Sequence, residues 1–242
     1  ARLGARAHAV RVEVGLGPNL EARARVARYD ALEVARRALG AATVLVGHTA
    51  DNQAETVMLN LLRGSAATGL GAMAVRSGTV VRPLLGLRRA DCEAVCATVG
   101  EVPLRDPMND DPAFRRVAVR HDVLPRLSAL AGRDLVPVLA RQAEVLRSES
   151  EYLDDLARAA WPSDAGPDAS PPSRADVLAR LPVPLARRAV RQWVGSPPPS
   201  FADVERVLAV ARGDIRATEI SGGHRVGRRS GLLYLERASV RP

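Results

Sequence analysis

Hydrophobic and polar positions change period several times along the chain. In AHAVRVEVG (7–15), Val10, Val12 and Val14 alternate with Arg11 and Glu13, the period of two that predicts a strand. NLEARARVARYDALEVARRALG (19–40) has a helical period, with Asn19 as N-cap, Glu21 in the first turn and Gly40 at C′. ATVLVG (42–47) is a short unbroken apolar run, which predicts a strand buried on both faces. GHTADNQAETVMLNLLRG (47–64) follows, with a helix expected over 51–63. TVVRPLL (79–85) predicts a further strand ending at Pro83, because proline cannot donate to a ladder. RADCEAVCATVG (89–100) predicts a helix closed by Gly100. Strands alternating with helices imply a parallel sheet with helices on its faces.

The character changes after DPMNDDPAF (106–114), a turn-rich loop in which Asp106 and Asn109 are placed to bond their own backbone. From 120 to 160 the pattern is helical. WPSDAGPDASPPS (161–173) reads as a loop or linker. ADVLARL (175–181), PLARRAVRQWVG (184–195) and residues 201–212, starting near Asp203, predict three more helices. In the last stretch, apolar alternation is broken at Gly222-Gly223 and Ser230-Gly231, which predicts a small antiparallel meander. The expected fold class is α/β. A remnant of a doubly wound parallel sheet over 1–128 precedes a mainly helical region with a small meander over 129–242.

Composition narrows this only a little. With 47% apolar residues in 242, a sizeable core can be buried, but aromatics are 3%, so it must be built from Leu, Val and Ala. No apolar run approaches the roughly 18 residues of a membrane span. The start, ARLGARAHAV, carries charges and lacks the apolar stretch of a secretory signal. It also lacks an initiator Met, as expected of a segment from within a longer protein. Cys92 and Cys96, four apart, suit a reduced cytoplasmic chain and lack the second Cys/His pair of a zinc site. Net charge is +8, and all 35 basic residues are Arg, which points to a polyanion partner. The absence of Lys beside abundant Ala, Val and Gly also reads as compositional bias, so charge alone is weak support for RNA binding.

The chemistry concentrates in 47–64. Ligands of doubly wound sheets bind beyond the carboxyl ends of the strands, and His48 follows the strand 42–47 directly. Asp51 and Glu55, four apart, share a helix face with Asn52 and Thr56 beside them. Such carboxylates can hold a phosphate-bound metal ion or orient an amine. Arg63, two turns on, can contact phosphate. A plain capped helix explains the same residues. Acids in a first turn complement the macrodipole, Val57, Leu61 and Leu62 make core contacts, and Arg63-Gly64 ends a helix. On these residues alone the plain reading outweighs the functional one.

Four stretches in order shift that balance. NLEARARVARY (19–29) is similar to Asn-x-Glu-x-x-Ala-Arg-x-x-Arg-Tyr. HTADNQAET (48–56) is similar to His-x-x-Asp-Asp-x-x-Glu-Thr, followed by Leu-x-Arg-Gly. RPLLGLRRAD (82–91) is the third. DPMNDDPAFRRVAVRHDVLP (106–125) is similar to Asp-Pro-x-Asn, Phe-x-Arg-Asn-x-x-Arg and Leu-Pro. Together, over 1–128, they resemble the bacterial tRNA(Ile)-lysidine synthases of the PP-loop ATP pyrophosphatase group; LARRAVRQW (185–193) extends the resemblance more loosely. It implies a Rossmann-like, adenine nucleotide α-hydrolase-like domain and an ATP- and Mg²⁺-dependent ligase. Its partners would be free lysine and the isoleucine tRNA with a CAU anticodon. ATP adenylates the C2 oxygen of the wobble cytosine, and the lysine ε-amine then displaces AMP to form lysidine, which decodes AUA.

Carried over residue by residue, the resemblance makes Asp51, Asn52 and Glu55 the catalytic edge, with Asp51 as the Mg²⁺ ligand. His48, Arg25, Arg28 and Arg63 are expected on ATP or substrate. Arg116, Arg120, Arg187, Arg188 and Arg191 are expected on tRNA, the first pair facing one way if helical. Glu55→Ala is expected to abolish turnover and leave the fold intact. The chain departs from the family at Asn52, where Asp is usual, at Val117, where Asn is common, and in having no Ser-Gly-Gly-x-Asp-Ser phosphate loop. SGGHRVG (221–227) reads as a turn. The chain is therefore expected to lack the first part of the enzyme and to be inactive alone. Two alternatives remain: a non-catalytic RNA-binding fragment, and a sulfur-transferring PP-loop enzyme. The second is disfavoured because Cys92 and Cys96 are expected mid-helix among core residues.

Overall fold

The computed structural model describes residues 4, 6–18, 20–104, 111, 114–161 and 173–237. The expected cap Asn19, the loop residues Asp106 and Asn109, and most of 161–173 fall outside them. Contacts divide the chain into two compact units, Ala1–Arg147 and Ser148–Pro242.

In the first unit, α1 (Leu20–Ala38), β1 (Val44–Leu45), α2 (Ala50–Leu62), α3 (Ala67–Leu70), β2 (Arg76–Ser77), β3 (Val80–Val81) and α4 (Arg89–Thr98) follow in order. Then come α5 (Arg115–Ala118), a π-helical turn (Val119–Val123), α6 (Leu124–Ala131) and α7 (Val136–Ala160), of which the residues from Ser148 on belong to the second unit. The sheet has the order β1-β3-β2. Its parallel pair sets Val44 against Val80 and Leu45 against Val81, closed by Val44 N–H to Thr79 O (2.9 Å) and Val46 N–H to Val81 O (3.0 Å). The α/β class and the helices at 19–40, 51–63 and 89–100 are as expected, each within two residues at its ends.

Three expectations are corrected. Residues 7–15 form no strand; Val10 and Val12 are exposed, and no described backbone pairs with theirs. Alternation marks a face, but only a partner's amides and carbonyls make a strand. Leu45 is exposed rather than buried on both faces, because β1 is an edge strand among the described residues. Leu61 and Leu62 are exposed too. The buried face of α2 runs through Ala50, Ala54 and Met58, spaced by four, with Leu59 beside them, and packs on Val119, Leu124 and Val136. Arg147 donates to the carbonyls of Met73 (2.9 Å) and Gly71 (3.4 Å), tying the first half of α7 into this unit.

The second unit holds β4 (Ser173–Arg174), α8 (Ala175–Arg180), α9 (Val183–Val194), α10 (Phe201–Arg212), β5 (Ala217–Ile220), β6 (His224–Arg229) and β7 (Leu232–Glu236). Its antiparallel sheet has the order β4-β7-β6-β5, so Ser173, expected to close the linker, is instead an edge-strand residue paired with Leu233. The predicted meander is β5–β7. SGG at 221–223 is the β5–β6 turn, and Ser230 and Gly231 both take positive φ, as a two-residue hairpin loop requires. Leu178, Val190, Val207, Leu208, Val226 and Leu233 make the core, and Trp161 meets Trp193 edge to face at 5.7 Å.

Ser200 caps α10 by accepting from Asp203 N–H (3.1 Å). Asp203 is buried and accepts from Ser200 N–H (3.0 Å), Ser200 Oγ (2.7 Å), Ser221 Oγ (2.6 Å) and Arg206. Burial pushes its carboxyl up, but these hydrogen bonds, led by Ser221 and Ser200, outweigh it and hold the carboxyl well below the ordinary range. A depressed folded value stabilises above the unfolded value of about 3.9 and is lost as pH falls through the folded one. Asp203→Asn is therefore expected to lower the stability of this unit at neutral pH and to flatten its loss of stability below about pH 4. Denaturant melts from pH 7 to 2 measure this; parallel curves for the two proteins would refute it.

Candidate active site

The loop after β1 and the first two turns of α2 gather the polar residues of unit 1. Asn52 occupies two positions in a chain of hydrogen bonds. Its Oδ1 accepts from the N-cap amide of Thr49 (3.0 Å), and its Nδ2 donates to Glu55 Oε2 (3.2 Å). An Asp at 52 can accept from Thr49 but has no proton for Glu55, and its charge would repel it. The departure from Asp thus has a local structural use.

Glu55 is 1% exposed and is surrounded by guanidiniums. Arg120 Nε lies 2.7 Å from Oε1, Arg89 Nη2 3.2 Å from Oε1, and Arg116 Nε 3.2 Å from Oε2, an ion pair without hydrogen-bond alignment. Arg116 Nη2 also donates to Thr56 Oγ1 (2.9 Å). Arg116 and Arg120 come from α5 and the π-helical turn, and their spacing of four aims both at one carboxylate, as expected.

Asp51 faces the next arginine. Arg88 reaches Oδ1 through Nη2 (3.2 Å) and Oδ2 through Nε (3.3 Å), and Arg89 N–H donates to Oδ2 (2.7 Å). Burial pushes the Asp51 carboxyl up, but these bonds prevail and leave it below its ordinary value. Arg88 also pairs with Asp134, whose Oδ1 accepts from Val136 N–H (2.9 Å) at the start of α7.

The β1 end of the site is cationic. Arg25 lies over the Tyr29 ring at 5.0 Å and Arg28 at 5.5 Å. Buried Arg82 donates to Ala74 O (2.8 Å). Half-buried His48 lies within the field of Arg25, Arg82, Arg116 and Arg28; burial first, then these four charges, push its imidazole down to about 4. Arg25 is lowered by burial and by Arg116, Arg28 and Arg82. His48 Nδ1, Tyr29 Oη and Arg82 Nε are buried without a hydrogen-bond partner among the described residues. Buried polar groups left unpaired are costly, and here they cluster where positive charge is in excess.

Beside this cluster lies a cavity of about 520 Å³. Its charged groups are Arg25, Arg63, Arg115 and Arg116 against Glu21, and Leu59, Met73 and Phe114 supply apolar wall. Arg63 is therefore brought to the same region, on the cavity side of α2.

A family model described as the PP-loop domain matches residues 3–127. A tRNA(Ile)-lysidine synthase of Mycolicibacterium paratuberculosis is 38% identical over 245 residues, covering 97% of this chain and 74% of that protein. The chain belongs to the PP-loop tRNA(Ile)-lysidine synthase family. A synthase of the same name from Nocardia farcinica is 46% identical over 197 residues, covering 79% of this chain and 59% of its own length. One from Leifsonia xyli is 50% identical over 148 residues, 61% of this chain and 44% of its own length. The chain thus spans 59% and 44% of these two relatives.

Within the family's motifs, the structure brings together His48, Asp51, Asn52, Glu55, Arg25, Arg28, Arg116 and Arg120. It also recruits Arg82, Arg88 and Arg89, for which no role was foreseen. Their signal was present, since all three lie in RPLLGLRRAD, a stretch set out as similar but left without roles. Val117 is buried. Asp51 does not suit a metal ion, because both its oxygens are engaged by Arg88 and Arg89. Among the described residues no group of three or more His, Cys, Asp or Glu side chains is placed to hold one. Cys92 and Cys96 are half-buried on α4, a helix with no buried residue, rather than among core residues. In the second unit, Arg187 is paired with Glu205 (2.7 Å) and lies over Phe201, and Arg188 with Asp154 (2.7 Å) and Ser150 Oγ (2.9 Å). Only Arg191 of the expected tRNA trio is exposed.

Glu55→Ala is thus not the neutral probe it promised to be. It strips the counter-charge from three arginines and is expected to destabilise the first unit by about 3–5 kcal/mol, the cost of breaking a buried pair from one side. Urea melts of Glu55→Ala and of Glu55→Ala/Arg120→Met measure this. The double variant should recover part of the loss; equal stability of wild type and single variant would refute the role.

Proposed function

We propose that the protein is a tRNA-modifying ligase that uses ATP and free lysine to convert the wobble cytidine of the CAU-anticodon isoleucine tRNA to lysidine. The observation that carries this reading is the cationic cluster of Arg25, Arg28, Arg82 and Arg116 around unpaired buried polar atoms, at the carboxyl end of a parallel strand. The family match and the relatives' printed name, tRNA(Ile)-lysidine synthase, support it.

On this reading ATP places its phosphates against the guanidiniums, and the cytosine C2 oxygen attacks the α-phosphorus. Pyrophosphate leaves and C2 is activated as the adenylate. The lysine ε-amine then attacks C2, and the C2–O bond breaks as AMP departs. The charge that grows on phosphate oxygens is met by Arg25, Arg28, Arg82 and Arg116; Glu55 fixes Arg116 and, with Asp51, also Arg88, Arg89 and Arg120, so little reorganisation is needed there. Glu55, Asp51 and Asn52 act by holding these arginines and the start of α2 rather than by touching substrate. We assign no step to Mg²⁺, because Asp51, the carboxylate expected to hold it, is engaged by Arg88 and Arg89. The cavity flanked by Arg63, Arg115 and Arg116 suits an RNA nucleotide, with phosphate on arginine and base on the apolar wall. Exposed Arg191 suits backbone contact. No helix among the described residues is long and apolar enough to cross a membrane, and we place the protein in the cytoplasm with its tRNA.

The test incubates the full-length protein with ATP, labelled lysine and isoleucine tRNA bearing CAU. Lysine incorporation that requires ATP and fails with a different wobble base is expected. No incorporation beside an active synthase would leave the RNA-binding alternative standing.

A further inference from the structure

We infer that His48 accepts the proton that the attacking amine loses in the second half of the reaction. This rests on the ligase reading above and assigns a group to a step left without one.

Among the described residues the geometry leaves His48 as the base in the cluster. An amine that attacks C2 must shed a proton: the nitrogen lone pair forms the N–C2 bond, the C2–O bond pair leaves with AMP, and the N–H proton needs an acceptor. Asp51 is a poor one, since Arg88 and Arg89 already fill its oxygens. Glu55 is 1% exposed and enclosed by Arg89, Arg116 and Arg120, so an incoming amine does not reach it. Asn52 is an amide with both its ends used. His48 is half-buried and stands on the loop between β1 and α2; its Nδ1 is buried without a partner among the described residues, which leaves Nε2 to accept the proton.

The charges facing His48 also suit the role. They are Arg25 and Arg28 from α1, Arg82 from the segment after β3 and Arg116 from α5, all cations. With burial, they favour the neutral imidazole. The phosphate of the adenylate on the same guanidiniums offsets part of that repulsion and raises the proton affinity of the imidazole. The same cations favour a neutral amine over an ammonium. The base thus gains strength when the nucleotide is present.

The test separates the two halves of the reaction in the full-length protein. Pyrophosphate release with ATP and tRNA, without lysine, reports adenylate formation. A lysine chase then reports transfer. For His48→Asn the transfer rate should fall about 10²–10⁴-fold, at least 100-fold more than adenylate formation. Replacing lysine by S-(2-aminoethyl)cysteine, whose amine is more acidic, should narrow the deficit. Equal loss in both halves shows a positioning role only and overturns the inference, as does transfer at the unaltered rate. Should His48→Asn fail to fold, the pH profile of transfer in the unaltered protein decides. Its limb should match the His48 titration seen by NMR in the AMP-loaded protein, and a mismatch overturns the inference. Absence of adenylate from the unaltered protein overturns the ligase reading itself, and this step with it.

Discussion

A single buried carboxylate, Glu55, holds three arginines from separate elements: Arg89 at the start of α4, Arg116 in α5 and Arg120 in the π-helical turn. A charge 1% exposed is tolerated in such a place only with close partners and further hydrogen bonds. Here the partners exceed it, so positive charge is exported to the neighbouring site. The π-helical turn belongs to the same device. Leu124 N–H bonds to Val119 O, five residues back, and such wide turns often accompany function. Arg116 stands before it and Arg120 within it, and both still reach one acid.

Much of this was legible in the amino-acid sequence. The helix at 51–63, the pairing of Arg116 with Arg120 on one face and the turn at SGG follow from spacing, caps and glycines. These are local rules, and local rules read well from one chain. Strand 7–15 failed for the opposite reason: Val10, Val12 and Val14 have the right period, but pairing depends on a neighbour that periodicity does not reveal. Leu45 and Leu61 failed likewise, since burial depends on what lies across from a face.

The second unit shows the same limit in its charges. Arg187, Arg188 and Arg191 sit at helical spacing and read as one basic face. Glu205 and Asp154, 18 and 34 residues from their partners, answer two of the three. Net charge is additive along a chain, but free charge is not. Most of the arginines that matter lie in unit 1, where carboxylates are outnumbered. Asp203 illustrates the converse: a carboxylate predicted as a helix start is a buried hub for two serines and Arg206, because α10 and the turn after β5 converge on it.

The excess charge also orders the proposed chemistry. Arg25, Arg28, Arg82, Arg88, Arg89, Arg116 and Arg120 stand against Asp51, Glu55, Asp91 and Asp134, seven cations to four acids. A lysine ammonium brought to such a site meets repulsion that a few ångströms of protein screen poorly. Triphosphate reverses the sign of the problem, supplying negative charge where the guanidiniums already point. Asn52 deepens the asymmetry by withholding the charge that Asp would add. In the proposed reaction, nucleotide phosphate would therefore ease the entry of the second substrate electrostatically.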